Sequence, residues 1–106
     1  MVRKEALKNK LKSFRENVNK EIKIEKMILF GSMASGKTHA DSDVDLIIVS
    51  PDFREMNFFK RGAKMYDYWD IRRPVDFLCY TPEEFKKLSG QVSIVSEALK
   101  EGIEIN

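Results

Sequence analysis

The chain has 106 residues, of which 42% are hydrophobic and 34% charged. That length allows one domain over residues 1–106 with a modest core, and it leaves no room for a separate substrate domain. The composition excludes a disordered chain, and apolar runs such as Leu46–Val49 are far too short to span a bilayer. Cys79 is the single cysteine, so an internal disulfide is ruled out, and the sulfur is expected to be buried and inert. MVRKEALKNK has no apolar leader run, so a cytoplasmic protein is expected, with no membrane partner. The net charge of +2 hides an asymmetry: residues 1–26 carry nine Lys and Arg against four Asp and Glu, and the remainder is acidic. A basic N-terminal helix face follows, which could attract an acidic partner or simply be solvated.

In chain order, Leu7, Leu11, Phe14 and Val18 recur at spacings of three and four, which predicts an amphipathic helix over 3–20. IEKMILF, 24–30, predicts a strand ending at Gly31. Ser32 is a good cap for a short helical turn through about Lys37, and THADSD is turn chemistry. VDLIIVS, 44–50, has a continuous apolar run and predicts a central strand. Residues 53–69 read as one helix, with Phe58 or Phe59, Gly62, Met65, Tyr66 and Trp69 on a single face. RPVDFLCY, 73–80, predicts a third strand. Thr81-Pro82-Glu83-Glu84 opens a helix, residues 92–100 form another, and Ile103–Ile105 suit a terminal edge strand. The order predicts an α/β (α+β) fold in which helices pack on a small mixed sheet.

The stretch LFGSMASGKT admits two readings. Gly31, four residues, then Gly36-Lys37-Thr38 matches the P-loop pattern. A P-loop needs a full helix after it to carry the chain back to a parallel strand, which takes about a dozen residues. Only HADSD separates Thr38 from the strand at Val44, and it is poor helix sequence. The P-loop reading is therefore rejected.

The second reading uses carboxylates. Asp43 and Asp45 are two apart at the mouth of a strand, so they share a face. Asp76 interrupts the third strand between Val75 and Phe77, and it completes a three-acid set if the two strands are neighbours. Hard oxygen ligands suit Mg²⁺, and such a set can hold two ions about 4 Å apart for in-line phosphoryl chemistry. Gly31-Ser32 supplies backbone amides, a hydroxyl and a helical-turn N-terminus for phosphate, and Lys37 could reach a triphosphate oxygen.

GSMASGKTHADSDVDLIIV closely resembles the signature of the minimal nucleotidyltransferases of the DNA polymerase β superfamily: Gly-Ser, ten residues, Asp-x-Asp. RPVDFL resembles that family's third-carboxylate strand. The resemblance implies a polymerase-β-like nucleotidyltransferase fold. It also implies a Mg²⁺-dependent enzyme in which Asp43 and Asp45 bind both metal ions and Asp76 binds one and orients the acceptor hydroxyl. Gly31 and Ser32 would hold phosphates of an NTP, with ATP the expected donor of AMP. Minimal members are often encoded beside a HEPN-type protein in a toxin–antitoxin arrangement, which implies a tyrosine of a HEPN toxin as acceptor and an antitoxin role. Met33 and Ser35 stand where many small members carry arginine, which points to the alternative of a catalytically weak binding module that neutralises a partner by complex formation. Nucleic acid is not the favoured acceptor, because only the N-terminal helix offers a basic surface. An exposed edge strand leaves self-association into a homo-oligomer open.

Overall fold

The computed structural model describes residues 4–31, 34 and 43–106. Four strands form one mixed sheet: β1 (Lys26–Phe30), β2 (Val44–Val49), β3 (Val75–Tyr80) and β4 (Ile103–Glu104). Their order is β3-β2-β1-β4, with β2 and β3 parallel and β1 antiparallel to both of its neighbours. β2 is thus an internal strand, as its unbroken apolar run predicts, and from Leu46 to Val49 it is buried on both faces. The antiparallel pairing of β1 with β2 excludes a P-loop crossover between them, since that crossover joins parallel strands.

The sheet alternation separates two cores. On one face, Met27, Leu29, Val44, Leu46, Ile48 and Cys79 pack against helix α1 (Lys4–Asn19) through Leu7, Leu11, Phe14 and Val18. Burial there pushes the Cys79 thiol up to about 12, with the Arg61 guanidinium only partly opposing it, so the sulfur is a packing atom. On the other face, Ile28, Ile47 and Val49 pack against helices α3 (Pro82–Ser89) and α4 (Ile94–Glu101) through Phe85, Val95 and Ala98. Both helices start on capping boxes, Thr81 with Glu84 and Ser93 with Ser96, which satisfy amides the helices cannot pair internally.

The expected single helix over 53–69 is two pieces. Ser50 caps a 3-10 turn at Pro51–Glu55, and Asn57 then caps a new helix, α2 (Phe58–Tyr66). The side-chain oxygens of Ser50 and Asn57 accept from the amides of Asp52 and Lys60, competing with a continuous helix ladder. The expected face is corrected too. Met65 is fully buried and Trp69, beyond the helix end, is partly buried, but Phe58 and Phe59 are exposed. Arg61 is buried in their place. Its Nε donates to the carbonyls of Phe53 and Met56 at 3.1 and 3.0 Å. Its Nη1 donates to Cys79 O at 3.2 Å and Glu84 Oε1 at 2.7 Å. One guanidinium thereby ties the 3-10 turn, α2, β3 and α3 together. No helix among the described residues is long and apolar enough to cross a membrane.

Candidate functional site

Strand register places the predicted acids. Phe30 of β1 lies opposite Asp45 of β2, and Asp45 lies opposite Asp76 of β3. Because β2 and β3 are parallel neighbours in this register, Asp45 and Asp76 point from the same face, as the pleat requires. Asp43 sits exposed just before β2, where the amide of Val44 donates to Pro74 O at 2.9 Å and holds the mouths of the two strands together. Asp76 is exposed and Asp45 half-buried.

Asp45 carries the electrostatic signature of the site. Its carboxyl is pushed above the ordinary range by burial first, then by the charge of Asp76, then by that of Asp43. All three influences act in one direction, each disfavouring the ionised form. Among the described residues no group of three or more His, Cys, Asp or Glu side chains is gathered closely enough to hold a metal ion. The donor set is nevertheless the right chemistry for a hard divalent cation: carboxylate oxygens only, one of them disfavoured as a bare anion.

Gly31 closes the other side of Asp45. Its φ is +76°, in the left-handed region. A Cβ there would overlap Asp45 Oδ2 and lie 3.3 Å from its Cγ. Glycine is therefore required twice over, once by the turn and once by the carboxylate. The amide of Ala34 donates to Gly31 O at 3.1 Å, beginning the turn expected after the strand. Ser32, Lys37 and, apart from Ala34, the rest of the helical turn predicted over 32–37 lie outside the described residues.

Asp45 and Asp76 border a cleft of about 510 Å³ along the outer edge of the sheet. Asp45, Asp76, Phe30 and Leu78 line it from the strands, and Gly62 and Tyr66 line it from α2. Tyr66 is held by a hydrogen bond from its hydroxyl to Val75 O and by edge-to-face contact with Phe77 at 5.0 Å. The sequence places Gly62 and Tyr66 on one helix face but does not connect that face with the carboxylates. The available signal was a glycine inside a helical pattern, which weakens a helix and so asks for a reason.

The nucleotidyltransferase domain family matches residues 8–105. The chain belongs to that family. It is thus a transferase of the kind that moves nucleotidyl groups, and its mixed sheet with flanking helices is a nucleotidyltransferase fold. No curated protein matches the chain. Among solved structures it is similar to a candidate nucleotidyltransferase from Sulfolobus solfataricus, with 24% identity over 95% of this chain and 80% of that one and a TM-score of 0.67. It is also similar to a toxin-antitoxin crystallised with AMP-PNP, with 20% identity over 93% of this chain and 72% of that one and a TM-score of 0.58. BolA1 from Arabidopsis thaliana aligns over 79% of this chain and 98% of its own, with 19% identity and a TM-score of 0.54. At these identities the likenesses speak for the fold, and activity has to be argued from the site.

Proposed function

We propose that this nucleotidyltransferase domain transfers a nucleoside monophosphate, AMP from ATP, to a hydroxyl of a partner protein. The observation that carries the reading is the row Gly31, Asp45, Asp76: a left-handed glycine packed on one carboxylate, which faces a second across a parallel strand pair. Asp43, Asp45 and Asp76 would hold two Mg²⁺ ions. Those ions, when bound, supply the positive charge that offsets the phosphate oxygens of the attacking and leaving groups. Gly31 and Ser32, with Lys37, would cradle the β- and γ-phosphates. The acceptor oxygen forms a bond to the α-phosphorus as the bond to the β-phosphate oxygen breaks, pyrophosphate departs, and the Asp76 carboxylate takes the hydroxyl proton. Positioning does most of the rest, because the chain contributes no covalent intermediate.

The toxin-antitoxin neighbour with its ATP analogue supports an adenine nucleotide and a protein partner. The partner we propose is a HEPN-type toxin, modified on a tyrosine, with this chain as antitoxin in the cytoplasm. A second reading is favoured by Met33 and Ser35, which take two cations out of the phosphate turn: a binding module that masks its partner without transfer.

The deciding assay incubates the protein with Mg²⁺, α-labelled ATP and a source-cell lysate, beside γ-labelled ATP and an Asp43→Asn/Asp45→Asn variant. Label on a discrete protein from the α position alone, lost in the variant, is the expected result. Partner binding that survives the double substitution, with no label anywhere, would leave only the binding module.

A further inference from the structure

The cleft has a second wall that the carboxylate chemistry leaves unexplained. Gly62 sits in the middle of α2, where glycine weakens a helix relative to alanine. It has no left-handed φ, and a Cβ built there meets no atom of the described residues within 4 Å. Phe58 and Tyr66 lie four residues to either side of Gly62, and Phe59 lies three before it, so all four share one helix face. That face is apolar and open: Phe58 is 53% exposed, Phe59 87% and Tyr66 52%. Gly62 is therefore a saddle between aromatic shoulders, and it opens directly into the space beside Asp45 and Asp76.

The position of this saddle says which reactant it meets. The sheet order β3-β2-β1 sets Asp76, Asp45 and Gly31 in a row. α2 packs beside β3, beyond Asp76, and so at the opposite end of the row from Gly31. In an in-line displacement the entering oxygen and the leaving pyrophosphate occupy opposite sides of the phosphorus. With phosphates at Gly31, the α2 end is the entry side.

Charge then selects the kind of acceptor. Of the three cationic side chains of α2, Arg61 pairs with Glu84 at 2.7 Å and Lys64 with Glu21 at 3.5 Å, while Lys60 is two residues from Gly62 and so does not share its face of the helix. The cleft itself presents Asp45 and Asp76. An apolar stripe beside two acids repels a polyanion and suits an uncharged apolar segment that carries a hydroxyl.

We infer that Gly62 is a specificity-determining position for the acceptor: its missing side chain lets an apolar segment of the partner protein lie against α2 between Phe58, Phe59 and Tyr66, with its hydroxyl directed to Asp76. This rests on the transferase reading proposed above.

The test compares wild type, Gly62→Ala and Gly62→Leu in the α-labelled ATP assay, using the labelled lysate protein and, separately, a short RNA oligonucleotide as acceptors. Gly62→Ala should raise the melting temperature by a few degrees, because alanine favours the helix and meets nothing, yet slow labelling of the protein. Gly62→Leu should lower kcat/KM for the acceptor by roughly a hundredfold while KM for ATP stays put. Full labelling by Gly62→Leu, or an equal rise in KM for ATP, would overturn the assignment. Label passing to the RNA, with the same sensitivity at Gly62, would overturn the choice of a protein acceptor. If wild type labels nothing, the transferase reading itself has failed and this inference falls with it, an outcome distinct from a silent substitution in an active enzyme.

Discussion

At the scale of single residues, the proposed role of Asp45 as a metal ligand sets function against stability. Its carboxyl is pushed upward by burial, Asp76 and Asp43, so the folded state holds a proton there more tightly than the unfolded chain does. For an acid with a raised folded value, stability falls as pH rises from the ordinary carboxylate range through that raised value. Asp45→Asn removes this liability. The metal-free variant should melt a few degrees above wild type at neutral pH while losing transfer, the usual exchange at an active site. Thermal melts with and without Mg²⁺ check it: added Mg²⁺ should stabilise wild type and leave the variant unmoved. Gly31 answers to the same carboxylate. Gly31→Ala should cost about 1–2 kcal/mol for the left-handed turn. It should also abolish transfer, because the new methyl group displaces Asp45 Oδ2. Urea unfolding and the labelling assay report the two losses separately.

Among the elements, α2 shows how caps and one buried cation override a pattern of apolar spacing. Residues 53–69 carry enough apolar side chains for one long helix, but Ser50 and Asn57 each begin a new segment by binding amides two and three residues ahead. The break lets Arg61 turn inward, where it satisfies carbonyls at the end of the 3-10 turn and reaches Glu84. Arg61→Met keeps much of the bulk and removes every donor. It should destabilise the protein by about 3 kcal/mol, since the buried guanidinium's hydrogen bonds to the carbonyls of Phe53, Met56 and Cys79 and to the Glu84 carboxylate are ones methionine cannot make. The same change should loosen the α2 wall of the cleft, so acceptor KM should rise more than ATP KM. A urea melt and the two KM values are the measurements. By contrast, Arg54 with Glu83 is a pair between exposed side chains, and its removal should be nearly silent.

Across the whole molecule, burial of apolar side chains joins the helices to the sheet. Two apolar cores flank the sheet, and the buried residues of β1 and β2 pack into both. Chelation with EDTA should therefore abolish transfer and leave the far-UV circular dichroism unchanged, and restored Mg²⁺ should return activity without a refolding lag. A loss of helical signal on chelation would show that the carboxylates help to hold the strands.

Much of this was legible in the sequence. The apolar spacing of α1, the unbroken run of β2, the cap at Thr81 and the terminal strand all stand where the pattern puts them, because each is dictated by local periodicity or by a cap. Asp43, Asp45 and Asp76 were picked out because acids interrupting apolar strands are conspicuous, although their roles remain a proposal. The pairing of Asp45 with Asp76 needed β2 and β3 to be parallel neighbours in one register, a long-range fact that no local spacing encodes. Arg61 and Gly62 needed more still. An arginine within a helical stretch reads as solvated, and a glycine reads as a weak spot, until the folded chain shows which one is surrounded by carbonyls and which one faces an open cleft. Sequence by itself determined most of the elements and the acids they carry, because those rest on neighbours a few residues apart. Only the tertiary structure decided which groups meet, because burial and strand order are set by the packing of distant segments.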